Sequence, residues 1–201
     1  MFVSLIKQIL RVSILALVPA WLAGCGDTGV KFNSADISMV DYARDFALID
    51  HNGKPRTLAD FRGKAVVIFF GYTQCPDVCP TTMTGMAEAM KQLGADAEKM
   101  QVLFVTVDPE RDTPQLLGQY VPVFNPSFLG LYSDPQTIAK TAQSFRVFYQ
   151  KQPGSSPTTY TVDHTAGSFA FDPQGKPRLY IKHGEKPELI AQDLRLLIAG
   201  K

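Results

Sequence analysis

Two runs of side chains decide what architecture this chain can adopt: Ala65 to Phe70, AVVIFF, and Gln101 to Val107, QVLFVTV. Each is a nearly unbroken series of aliphatic, β-branched and aromatic residues, and the first is bounded by Gly71. A strand with one wet face alternates polar and apolar side chains, whereas a continuous apolar run reads as a strand covered on both faces, the condition of a parallel sheet. Parallel neighbours need a crossover, usually a helix. Pro80 to Leu93 supplies one, with Pro80 suited to its first position, Gly94 to its stop, and Met83, Met86 and Met90 on one face. Thioethers at that spacing read as core packing, not as a metal-binding array.

The alternation of strand and helix extends both ways. Upstream, Phe46, Leu48 and Asp50 alternate, Asn52-Gly53 is a hairpin signal, and Lys54 to Thr57 returns as the partner strand, followed by a turn over Leu58 to Gly63. Downstream, Thr113-Pro114 and Ser133-Asp134-Pro135 read as helix starts on either side of an extended segment, Phe128 to Tyr132. Val147 to Gln150 reads as a strand, and Lys151 to Tyr160 as a loop rich in Pro, Gly, Ser and Thr. Ala166 to Phe171 and Arg178 to Lys182 form a hairpin around Asp172-Pro173-Gln174-Gly175, and Pro187 to Ile198 is a closing amphipathic helix. The expectation is an α/β domain: a central mixed sheet flanked by helices, with an N-terminal β-hairpin.

The N-terminus reads differently. Lys7 and Arg11 flank an apolar core, Val12 to Val18, and Leu22-Ala23-Gly24 lead to Cys25. The apolar stretch falls short of the ~20 residues a membrane span needs and has the layout of an export signal. Leu22 to Cys25 resembles the lipobox of bacterial lipoproteins. That implies a signal peptide over 1–24, a lipid on Cys25 that tethers the chain to a bilayer, a flexible linker over 25–41 and one domain over 42–201. The protein would then be exported and face the periplasm. A length of 201 residues suits one domain, and the near balance of 20 basic and 19 acidic side chains gives no sign of nucleic-acid binding.

After Cys25 the chain has two cysteines, Cys75 and Cys79, in FFGYTQCPDVCPTTM. An exported protein without a disulfide framework keeps such a pair for chemistry rather than stability, since so small a loop restricts the unfolded chain little. The pair sits where a strand gives way to a helix, and the positive end of a helix dipole favours thiolate. Lowering a thiol from a pKa of about 8.5 to about 7 raises its thiolate fraction at neutral pH from ~3% to roughly half. Both redox exchange and soft-metal binding profit from that.

GYTQCPDVCPTT, then VDPERDTP, then DHTAGSF resemble, in this order, the Sco/SenC family of copper chaperones for respiratory oxidase assembly. The likeness spans about Phe46 to the C-terminus, and the order of elements is that of a thioredoxin-like fold. The resemblance implies copper held by Cys75, Cys79 and His164, the last in the loop before the strand Ala166 to Phe171. Two thiolates and an imidazole suit Cu(I), and imidazole with thiolate also accepts Cu(II). Zinc competes but usually takes four ligands in a structural site. The implied partners are subunit II of cytochrome c oxidase, through its dinuclear copper centre, and a thioredoxin-like thiol reductant. Such a client favours the inner over the outer membrane, although Asp27 stands one position later than the inner-membrane retention signal places it.

Around the three ligands, Tyr72 is read as a shield or partner contact and Asp163 as an orienting acceptor for His164 or a turn residue. Asp108, Arg111 and Asp112 are read as functional edge residues or a loop held by its own ion pairs. His51 and His183 are read as surface residues. The competing reading is a thiol-disulfide oxidoreductase in which Cys75 attacks and Cys79 resolves.

Overall fold

The computed structural model describes residues 31–155 and 159–201. The signal segment and Cys25 lie outside the described residues. Among those described, no helix is long and apolar enough to cross a membrane.

Two parallel strands form the centre. β4 (Ala65–Gly71) and β5 (Met100–Thr106) pair in register from Ala65↔Met100 to Gly71↔Thr106, and every residue in both is buried. The sheet grows outward on either side to the order β1-β10-β9-β4-β5-β6-β2-β3. β6 (Leu129–Tyr132) continues parallel to β5, β2 (Ala47–Asp50) pairs antiparallel to β6, and β3 (Pro55–Thr57) completes the N-terminal hairpin antiparallel to β2. On the other flank β9 (Ser168–Phe171) and β10 (Pro177–Ile181) form the second hairpin, antiparallel to β4. A separate two-stranded sheet joins β7 (Tyr149–Gln152) to β8 (Thr161–His164).

Both faces of β4 are covered, as its unbroken apolar run requires. On the Gly71 side lies the first helix, α1 (Val78–Leu93), whose Met83, Met86 and Met90 are buried in the core. On the Phe70 side, Phe145 at the end of α3 (Pro135–Ser144) packs its ring 5.2 Å from Phe70 and 5.5 Å from Phe169. Such fully buried rings contribute about 1.5–3 kcal/mol each. Between these helices α2 (Pro114–Tyr120) is capped by Thr113, whose hydroxyl accepts from the Leu116 N–H, and α4 (Pro187–Ile198) closes the fold beside α1.

The structure corrects five expectations. The linker read over 25–41 is attached to the domain from Asn33 onward: β1 (Ala35–Asp36) pairs with β10, and the buried carboxylate of Asp193 on α4 accepts the N–H groups of Asn33 and Ser34 at 2.8 Å. Helix α1 starts at Val78, not Pro80, because proline lacks only an N–H that the first helical turn leaves unpaired. His51 is half-buried, and its Nδ1 accepts the Gly130 N–H at 3.0 Å. His164 ends strand β8 instead of lying in a loop, and β7 runs on to Gln152.

Candidate metal centre

The sulfur pair is placed by the junction of β4 and α1. Cys75 stands in the turn between them, half-buried, and Cys79 lies in the first turn of α1, fully buried. Cys79 donates its N–H to Cys75 Sγ at 3.4 Å, so one sulfur partly satisfies a donor that the helix start leaves free. Both thiols are free. Gly71 makes room for the buried one: a Cβ there would lie 2.8 Å from Cys79 Sγ and 2.8 Å from the Phe69 ring.

The third group arrives from the separate hairpin. His164 Nε2 lies 3.4 Å from Cys79 Sγ, and His164 Nδ1 lies 3.0 Å from the Thr165 carbonyl. A carbonyl only accepts, so Nδ1 carries the proton and Nε2 turns its lone pair towards the sulfur. Burial pushes the His164 pKa down and favours this neutral form. The ring stands edge-on to Tyr72 at 5.9 Å and to Phe69 at 5.8 Å. Ligand atoms from Cys75, Cys79 and His164 all lie within 4.8 Å of one another. Cys75 and His164 border a cleft of about 410 Å³ lined also by Tyr72, Pro76, Val78, Val162 and Ala166, while Cys79 lies buried behind it.

The buried thiol departs from the expectation of a pair eased towards thiolate. Burial pushes the Cys79 thiol strongly up, and the neighbouring Cys75 adds to that. Desolvation of the charged form therefore outweighs the helix dipole at Cys79. A soft cation that binds both sulfurs must displace that proton, which couples metal binding to proton release.

The remaining residues singled out from the sequence surround this centre. Tyr72 is buried and shields one side. Asp112, also buried, accepts from the Thr73 N–H, the Thr73 hydroxyl at 2.6 Å and the Thr106 hydroxyl at 2.6 Å, tying the cysteine loop to the end of β5. Burial raises its pKa while those hydrogen bonds oppose the rise. Asp108 and Arg111 form a buried ion pair. Asp163 does not orient His164: its carboxylate accepts from Gln152 Nε2 at 2.7 Å, and the Thr165 carbonyl holds the imidazole instead. Three residues escaped the sequence reading. Gly71 had a signal, a glycine at the end of a buried strand. Gln74 and Tyr160 had none, because their contacts, described below, are long-range.

A family model described as SCO1/SenC matches residues 35–199, nearly all of the described chain. The chain belongs to the SCO1/SenC family. Among relatives of this Sco chain, the mitochondrial SCO2 homologue of Bos taurus is 39% identical over 158 residues, 78% of this chain and 59% of that protein. The chain thus spans about three-fifths of the length of such relatives. The copper-bound structure of Bradyrhizobium japonicum ScoI superposes with a TM-score of 0.71 at 42% identity, covering 76% of this chain and 97% of that one. The apo Sco1 structure from Thermus thermophilus gives 0.72 at 38% identity, covering 85% and 99%. The thioredoxin-like architecture read from the order of elements is the one these Sco proteins share.

Proposed function

We propose that this Sco-family protein binds one copper ion through Cys75, Cys79 and His164 and hands it to a thiolate-bearing acceptor. The observation that carries the reading is the convergence of two free thiols and a neutral imidazole within 4.8 Å beside an open cleft. Two sulfurs and one nitrogen are a soft donor set suited to Cu(I), and imidazole with thiolate also tolerates Cu(II). A three-ligand site leaves space for an incoming thiolate to bond before the donor sulfurs let go. The copper-bound relative from Bradyrhizobium japonicum supports the same cargo. By the family resemblance, the acceptor is the dinuclear copper centre of cytochrome c oxidase subunit II. Reduction of the sulfur pair in an oxidising compartment falls to a thioredoxin-like partner. Leu22 to Cys25 supports a lipid-anchored form facing the periplasm, and the oxidase client favours the inner membrane.

The decisive test is copper stoichiometry and affinity of the reduced protein against a competing Cu(I) chelator, beside Cys75→Ala and His164→Ala. One tightly held copper, weakened in both variants, is expected. No tight copper in the reduced wild type would sink the reading.

One observation favours the thiol-disulfide oxidoreductase: a half-exposed Cys75 in front of a buried Cys79 is the arrangement of an attacking and a resolving thiol. His164→Ala separates the two functions. Disulfide reductase activity left intact in that variant, with copper affinity also unchanged, would favour the enzyme.

A further inference from the structure

We propose that Arg111 is a positioning residue for the metal ligands, holding the loop that carries Cys75 and the strand that carries His164 at a fixed separation; this rests on the copper reading above. His164 ends β8, which belongs to a two-stranded sheet outside the main eight-stranded one. The backbone ladder of the main sheet stops at Ser168, which pairs with Phe69 of β4, four residues after His164. Beyond the short link 165–167, side chains set the separation of the imidazole from the cysteine loop.

Arg111 makes it from a central position. Its Nη1 donates to Gln74 Oε1 at 3.1 Å, next to Cys75, and to the Tyr160 carbonyl at 2.9 Å, one residue before β8. Its Nε donates to Asp108, whose other carboxylate oxygen accepts the Tyr160 hydroxyl at 2.7 Å. The guanidinium also lies 3.6 Å from the centre of the Tyr160 ring and 5.7 Å from that of Tyr72, the ring that meets His164 edge-on.

A residue that only closed its own loop would bond Asp108 and stop there. Arg111 reaches out of the loop to both ligand-bearing segments. The Arg111 side chain is 13% exposed and that of Asp108 0%, so water competes little for the bond between them, while the bond to Gln74 lies at the exposed end of the guanidinium. A planar fork of donors can serve three acceptors and stack on a ring at once; a lysine ammonium keeps the charge but not that geometry.

The test is a double-mutant cycle in copper affinity of the reduced full chain: wild type, Arg111→Lys, His164→Ala and the pair, with the unfolding midpoint of each metal-free protein and the Cys75–Cys79 reduction potential alongside. Arg111→Lys keeps a cation beside Asp108 and so guards against simple loss of folding; Arg111→Gln is the harsher companion. Residues that orient ligands typically govern roughly 10- to 100-fold in metal affinity. We expect a loss in that range for Arg111→Lys, most of which disappears when His164 is already alanine, with the potential unchanged. Affinity unchanged in both Arg111 variants, or a loss of equal size with and without His164, would overturn the inference while leaving the copper reading in place. Failure of the wild type to hold copper would overturn both.

Discussion

At the scale of single residues, two positions show how little space the chain leaves around its functional groups. Gly71 is one. A methyl group there meets Cys79 Sγ and the Phe69 ring at 2.8 Å and Phe104 at 3.0 Å, and none of these is the loose end of a flexible chain. Gly71→Ala is expected to cost about 1–3 kcal/mol by overpacking and to weaken copper binding by displacing the buried sulfur. Thermal unfolding and chelator competition measure the two effects; a variant matching wild type in both would show that the sulfur moves freely. Asp50 is the other. Its buried carboxylate accepts the Asn52 and Lys54 N–H groups and the Arg56 guanidinium; burial works to raise its pKa, and these partners prevail and hold it below the ordinary 3.8. A lowered pKa gives stability that is present above 3.8 and lost as pH falls through the folded-state value. Asp50→Asn should therefore be less stable than wild type at pH 7, by about 1–3 kcal/mol, with the gap closing in acid. Chemical denaturation at several pH values checks it, and a gap that widens in acid contradicts the assignment. The role of Asp50 was half legible, since its alternation with Phe46 and Leu48 marked a strand while its neighbours across the turn did not mark a buried acid.

At the scale of elements, the readable ones carry their reasons locally. Ala65 to Phe70 and Gln101 to Val107 announce burial on both faces by composition alone, and Thr113-Pro114 and Asp134-Pro135 announce helix starts by capping chemistry, which the structure bears out in the bonds Thr113 and Asp134 accept. β1 and β8 were not readable. Ala35–Asp36 and Thr161–His164 are short, have no clear alternation, and become strands through partners far away in sequence. The candidate site was legible to the same degree: its three candidate ligands through motifs, and Arg111 as a member of a box whose bonds to Gln74 and Tyr160 no local pattern reveals. A two-stranded sheet is marginal by itself. Amides of β7 and β8 should accordingly exchange with solvent at least roughly tenfold faster than those of β4 and β5 in the metal-free protein, and copper should slow the β8 amides selectively. Hydrogen exchange with and without copper measures this, and equal protection of both sheets would contradict it.

At the scale of the whole molecule, the N-terminal strand is part of the domain. Removing residues through Asp36 strips Asp193, 0% exposed, of the Asn33 and Ser34 donors and bares the edge of β10. A chain that starts after that point should lose about 2–4 kcal/mol and associate more readily through the open edge; denaturation and light scattering test it, and unchanged stability would return the segment to the status of a tether. The centre, in turn, has one wall of rings, one buried sulfur and one half-open sulfur at the lip of a cleft. Under the proposed copper function, a supplier and a recipient that both enter by this cleft share one berth among the described residues, and so take turns on the protein.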